Sequence, residues 1–221
     1  MTKGLVVIFE GIDGGGKSTL IDLVFNNLKK FGHDPNTYRA PGGTEYGENV
    51  RNAIFKSGIQ PSNETILLAI MSSHAELTKS VLLSKTEGGL IVLLDRYMDS
   101  TYAYQGKSKA DIDFIKTTQE YILGQNEFDK IRVFVGVDPS VAMDRLKNRT
   151  ESNFFDEKPL SHFKELDSRY RQRYEYHQSN SNQYSHGVYW IDNNGSITES
   201  ENKAVQIAKM IDQEYRTINL P

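Results

Sequence analysis

"LVVIFEGIDGGGKST", residues Leu5 to Thr19, joins a run of apolar β-formers to a cluster of glycines, one lysine and two hydroxyl side chains. The run Leu5 to Phe9 is apolar without alternation, as in a strand covered on both faces. Gly11 to Ser18 fits the pattern G-x-x-x-x-G-K-[ST], and the spacing predicts a strand, a bare loop and a helix from about Lys17 to Phe31. Successive main-chain N–H groups turn inward around phosphate oxygens only where no Cβ obstructs the backbone, so Gly11, Gly14, Gly15 and Gly16 suit a polyphosphate cradle. The helix N-terminus adds partial positive charge. Lys17 is expected to bridge the β- and γ-phosphates of a nucleoside triphosphate, Ser18 to ligate Mg²⁺, and Thr19 to face the same nucleotide.

Outward from this loop, short β-rich runs alternate with amphipathic stretches. Further strands are predicted at Thr37 to Arg39, Leu90 to Leu94, Ile131 to Val137 and Gly187 to Ile191. Helices are predicted near Tyr46 to Lys56, Asn63 to Lys85, Ala110 to Leu123, Ser140 to Arg149, Ser161 to His177 and Glu199 to Tyr215. Strands rich in Val, Ile and Leu, each followed by a helix, predict a three-layer α/β fold. Its sheet would be parallel, of about five strands, with ligands gathered at the carboxyl ends.

"LIVLLDRYMDSTYAYQG" places Asp95 and Arg96 directly after one predicted strand, at the same sheet edge as the glycine loop. Asp95 is placed to hold Mg²⁺ through water, and Arg96 supplies a planar fork suited to phosphate oxygens.

"EGIDGGGKST", "RAPGGT" at Arg39 to Thr44 and "DRYMDSTYAYQG" at Asp95 to Gly106 together resemble the ordered motifs of thymidylate kinases, over most of the chain. That resemblance implies a P-loop NTPase fold in a single nucleoside monophosphate kinase domain spanning 1–221, with a short lid. It implies transfer of the γ-phosphoryl group of ATP to dTMP, giving ADP and dTDP for nucleotide biosynthesis, and a homodimer packed through helices. It also implies that Asp13 contacts the sugar 3′-hydroxyl or the phosphate region, that Arg39 and Arg96 grip the acceptor phosphate, and that Pro41 shapes the loop behind it. Ser100 and Thr101 would approach the pyrimidine edge. Tyr104 would pack where a ribose 2′-hydroxyl would sit, supported by Gln105. The physical requirement is independent of the resemblance: acceptor oxygen and γ-phosphorus are held in line while arginines, lysine and Mg²⁺ neutralise spreading charge.

Two places depart from the family pattern. The long helix before Asp95 usually presents a phenylalanine that stacks on the base and, one turn later, an arginine that reads its carbonyl edge. Counting back from Asp95 without gaps puts Ile70 and His74 there, which share a helix face. A kinase of another or modified deoxypyrimidine monophosphate is therefore an alternative. The lid is expected near 150–160, where the family usually carries a catalytic arginine, and "TESNFFDEKPL" contains none. Arg149, Lys158 and Arg145 are the candidates for nucleotide contact, in that order. "RYRQRY", Arg169 to Tyr174, reads as a solvated or subunit-facing helix surface.

The 221 residues are 38% apolar and 25% charged, an ordinary globular composition for one core. A net charge of −3 offers no basic field for nucleic acid or an anionic membrane. The absence of cysteine excludes a disulfide scaffold and thiolate chemistry. No signal-peptide pattern opens the chain, and no apolar stretch approaches the roughly 20 residues of a membrane span, so a soluble cytoplasmic protein is expected. A non-catalytic P-loop switch is the more distant alternative. A guanine-reading Asn-Lys-x-Asp is missing, since "NKAV" at Asn202 to Val205 lacks the aspartate.

Overall fold

The computed structural model describes residues 2–124, 127–148 and 158–220. Five strands, β1 (Leu5–Glu10), β2 (Asn36–Arg39), β3 (Ile91–Asp95), β4 (Lys130–Gly136) and β5 (Ser185–Asp192), form one parallel sheet in the order β2-β3-β1-β4-β5. Around it lie α1 (Lys17–Lys30), α2 (Glu45–Phe55), α3 (Asn63–Leu77), α4 (Leu83–Glu87) and α5 (Met98–Gln105), then α6 (Lys109–Leu123), α7 (Pro139–Lys147), α8 (Leu160–Ser179) and α9 (Ile197–Ile218). This is the three-layer α/β arrangement expected from the alternating pattern.

Every residue of β1 is buried. Because successive side chains leave a strand on opposite faces, Leu5, Val7 and Phe9 pack with Leu20, Val24 and Ile207 of α1 and α9. Val6 and Ile8 pack with Leu67, Met71 and Ile115 of α3 and α6 on the other side. Each such apolar side chain contributes about 1.5–3 kcal/mol relative to exposure, so a polar substitution in β1 would be costly on either face.

Most helices start on a side-chain cap. Ser108 and Ser196 form capping boxes with Asp111 and Glu199, and Thr44, Ser62 and Asp138 accept from backbone N–H groups one turn in. Helix α1 starts on Gly16, without a side-chain cap and without an acidic residue in its first turn. Its first N–H groups therefore keep their capacity to donate to an anion.

Two differences from the sequence reading matter for the site. The long helix predicted over Asn63 to Lys85 runs on to Glu87 but is interrupted by a π-helical segment, Thr78–Leu82. The eight-residue α5 forms where the sequence shows mostly polar residues and little apolar periodicity. The continuous run Asn63–Glu87 also has the length and hydropathy of a membrane span, with a mean of 1.3 over its best window. Leu67, Met71, Leu77 and Leu82 of this run, however, are buried in the core with residues of β3 and α6. Arg149 and residues 150–157 of the expected lid lie outside the described residues.

Candidate active site

The glycine loop is shaped by its neighbours as much as by any ligand. Gly11, Gly14 and Gly16 have φ of 142°, 77° and 82°, the region that side chains avoid. A Cβ would meet the Val135 carbonyl oxygen at 2.4 Å from Gly11, the Ala142 carbonyl oxygen at 2.3 Å from Gly14, and Asn193 Nδ2 at 2.6 Å from Gly16. Gly15 is the milder case, with a Cβ 3.1 Å from the Ile12 carbonyl oxygen and no positive φ. Asn193, just past β5, donates from Nδ2 to the Gly15 carbonyl at 2.8 Å and is held by Ser200 Oγ at 2.9 Å. Sequence reasoning missed Asn193, although its place after a strand at the same sheet edge is a signal. Lys17 is 6% exposed and donates from Nζ to the Ile12 carbonyl at 2.9 Å. Burial, then the Arg96 guanidinium, pushes the Lys17 ammonium down to about 8, against the pull of Asp95, Asp13 and Glu10.

The strand register sets the opposite wall. Phe9 and Arg39 both pair with Asp95, so β1, β3 and β2 end side by side. The ladder continues one step beyond the strands, with Arg96 N donating to the Phe9 carbonyl and Ala40 N to the Asp95 carbonyl, each at 2.9 Å. Ser18, Arg39, Glu48 and Asp95 line a cleft of about 330 Å³ here. Asp95 Oδ1 is buried with no hydrogen-bond partner, and Ser18 is exposed. One carboxylate oxygen short of a partner beside a hydroxyl fits Mg²⁺, which binds through one or two protein oxygens and takes water and phosphate oxygens for the rest.

Arg39 is held by Glu48 in a two-point ion pair, Nε to Oε1 at 3.1 Å and Nη2 to Oε2 at 2.6 Å. Arg51, on α2, donates to the Pro41 carbonyl at 3.3 Å. Burial lowers the Arg51 affinity for its proton, and the field of Arg39 lowers it further. Neither Glu48 nor Arg51 was singled out from sequence, where a charged helix position one turn after a Pro-Gly turn is indistinguishable from a solvated face.

Arg96 turns inward rather than toward Arg39. At φ 68° it is the one described non-glycine residue with positive φ, which aims its side chain across the glycine loop. Nη2 donates to Asp13 Oδ1 at 2.6 Å, and Nη1 to Tyr170 Oη at 2.7 Å and Ser100 Oγ at 3.1 Å. Tyr104 donates to Asp13 Oδ2 at 2.7 Å and lies under the guanidinium. Burial favours the protonated form of Asp13, but Arg96 and Lys17 outweigh it and hold this carboxyl well below the usual range. Beneath the network Glu10, fully buried, accepts from Tyr97 N at 2.8 Å and from Ser100 Oγ at 2.5 Å. Burial, then Asp99, pushes Glu10 up to about 7. The expectation of a solvated or subunit-facing surface at Arg169 to Tyr174 fits the exposed Arg171 and Gln172 but is corrected for three neighbours: Tyr170 is 1% exposed and binds Arg96, Arg169 donates to the Ala103 carbonyl, and Arg173 reaches Asp99.

On α3, facing α5, His74 is 1% exposed; its Nε2 lies 2.9 Å from Thr101 Oγ1, and its ring packs edge-on against Tyr97. Burial drives the imidazole down to about 3, so it stays neutral. Ile70 is buried on the same face. Ile66, one turn earlier, lines a cleft of about 700 Å³ with Asn63, Tyr104, Gln105 and His162. The π-helical segment Thr78–Leu82 lies between these α3 residues and Asp95 and carries an extra residue relative to an α-helix. Ser73 Oγ accepts from Gly42 N at 3.1 Å, fastening α3 to the Pro41–Gly43 loop. Arg145 donates to the Gly195 carbonyl at 3.1 Å, and its Nη1 lies 3.9 Å from the Cβ position of Gly16. It therefore borders the glycine loop.

A parallel sheet in this order, with a phosphate loop leaving its central strand and acidic and basic groups at the ends of the neighbouring strands, defines the class: a P-loop nucleoside monophosphate kinase, an ATP-dependent phosphotransferase. A family model described as "Thymidylate kinase" matches residues 9–186. The chain belongs to the thymidylate kinase family. Similar curated proteins include a thymidylate kinase of Thermoanaerobacter sp. (strain X514), 38% identical over 150 residues, which are 66% of this chain and 72% of that one. That of Kosmotoga olearia is 32% identical over 163 residues, 73% and 78% of the two chains.

Proposed function

We propose that this chain transfers the γ-phosphoryl group of ATP to dTMP, giving ADP and dTDP, and does so at the edge where β1, β2 and β3 end. The observation that carries this reading is the physical joining of two anion-binding halves: Asp13 of the glycine loop is hydrogen-bonded to Arg96 at 2.6 Å, beside Asp95 and Arg39. Family membership supports the acceptor.

In this reading the amides of Gly14 to Ser18 and the Lys17 ammonium bind the β- and γ-phosphates, Thr19 and, on α7, Arg145 meet the nucleotide, and Arg149 is a further nucleotide contact. Ser18 and Asp95 hold Mg²⁺, which, when bound, neutralises charge on the transferring phosphoryl group. Arg39, released from Glu48, Arg96 and Arg51 face the acceptor phosphate. Asp13 fixes Arg96 and meets the sugar region, and Pro41 backs the loop. Ser100, Thr101, Tyr104 and Gln105 on α5, with Ile70 and His74 behind them on α3, bound the deoxynucleoside. Positioning and charge neutralisation supply the catalysis, and no covalent enzyme intermediate is needed. The chain acts as a homodimer, a reading supported by exposed apolar side chains on one face of α6, Phe114 and Tyr121, and works in the cytoplasm.

Coupled ADP release with ATP and Mg²⁺, measured over dTMP, dUMP, dCMP, 5-hydroxymethyl-dUMP and thymidine, tests the reading. Strong stimulation by dTMP and little by thymidine is expected. Faster turnover with another pyrimidine monophosphate would move the assignment to that acceptor, and a slow rate indifferent to every acceptor would leave a nucleotide-binding switch.

A further inference from the structure

A second cavity lies away from the phosphate loop, between α5, α6, α8 and the first residues of β4, with a volume of about 360 Å³. Its deep wall carries Lys130, Arg132 and Arg173, faced by Asp99 and Glu127, with His177 beside them. Strand β4 places Lys130 and Arg132 on one face, two residues apart, and both are buried, 6% and 8% exposed.

The hydrogen bonds here do not balance. Asp99 Oδ1 takes Arg173 Nε at 2.7 Å and His177 Nε2 at 2.8 Å. Arg132 is left with an ion contact to Asp99 Oδ2 at 3.4 Å, and its Nε is buried without a hydrogen-bond partner. Lys130 Nζ makes long contacts, to Glu127 Oε2 at 3.4 Å and the Phe128 carbonyl at 3.5 Å, and lies over the Phe128 and Tyr184 rings at 5.5 and 5.8 Å. Burial keeps His177 below its ordinary value, so it adds no positive charge near neutral pH. Among the charged residues lining the cavity, Lys116, Lys130, Arg132 and Arg173 outnumber Asp99, Glu120 and Glu127 by one, and the buried Arg132 guanidinium has a donor to spare. Desolvating a cation without full pairing is expensive, and an incoming oxyanion relieves that cost.

We propose that this cavity is a second anion site that takes a phosphate group, either free or carried on a small metabolite. Arginine forks match tetrahedral oxyanions through paired donors, and the Lys130 ammonium adds a point charge. The site shares α5 with the acceptor pocket, because Asp99 precedes Ser100 and Thr101, but it contains none of the groups assigned to phosphoryl transfer.

The experiment uses the full-length enzyme saturated with dTMP, Mg²⁺ and a non-hydrolysable ATP analogue, so that the phosphate loop is filled. Inorganic phosphate and, separately, glycerol 3-phosphate are titrated in while calorimetry and the NMR signals of the arginine Nε–H groups are followed. Saturable one-to-one binding is expected for at least one probe, with the Arg132 and Arg173 signals moving together; the tighter probe tells free phosphate from a phosphate ester. Losing one charged hydrogen-bond donor in Arg132→Gln is expected to weaken binding by about tenfold or more, with turnover in phosphate-free buffer unchanged. Lys130→Gln carries the same expectation and serves as the test should Arg132→Gln fail to fold. Absence of saturable binding by both probes, or undiminished binding in the folded variants, would overturn the proposal.

Discussion

Lys17 shows how a single residue links burial to pH. An ammonium taken from water and set near Arg96 loses proton affinity, and Asp95, Asp13 and Glu10 only partly restore it, leaving its value at about 8. Below pH 8 the free enzyme carries the charge that a polyphosphate needs; above it the charge is lost. ATP affinity is therefore expected to fall as pH rises from 7 to 9, by up to about tenfold per pH unit beyond the pKa. Lys17→Arg, charged throughout this range, should lose that slope. Equilibrium ATP binding measured across these pH values checks the sign, and affinity that rises with pH in the wild type would contradict it. Asp13 illustrates the converse, since its two flanking cations keep it ionised throughout this range.

Among the elements, those with strong periodicity or a defined motif were legible in the sequence: β1, the glycine loop, α1 and the other four strands. The π-helical segment was not, because TKSVL differs little from ordinary helix and its extra residue shows only as geometry. Helix α5 was missed as an element because it is held by tertiary hydrogen bonds of Ser100 and Thr101 rather than by an apolar stripe. The site was legible where residue type is itself the chemistry, as at Lys17, Asp95 and Arg96. It was silent at Asn193, Glu48 and Arg51, whose roles come from the register of distant strands. If the π-helical segment absorbs one extra residue, deleting the exposed Ser80 should let the helix run as continuous α without rotating α3. The variant is expected to remain folded with a melting temperature within about 5 °C of wild type, roughly 1–2 kcal/mol for a domain of this size. Collapse of the cooperative thermal transition would count against that account.

In the whole molecule, the parallel order β2-β3-β1-β4-β5 brings residues far apart in sequence to one edge, and the Arg96 network ties α8 to that edge through Tyr170. The exposed Phe114 and Tyr121, seven residues apart on one face of α6, are then the natural cover for a second copy. Sedimentation is expected to give twice the chain mass of 25.1 kDa, and Tyr121→Glu with Phe114→Glu should shift it toward the monomer. A wild-type monomer at micromolar concentration would contradict the dimer. The central claim is that the phosphate loop and the arginines facing it pass a phosphoryl group from ATP to dTMP. The most direct measurement is chromatographic quantification of products from ATP, Mg²⁺ and dTMP, comparing wild type with Lys17→Ala. Wild type is predicted to give dTDP and ADP in equal amounts, and a Lys17→Ala protein with an unchanged fold to be at least about 10³-fold slower. ADP without dTDP, or Lys17→Ala activity within tenfold of wild type, would contradict the account.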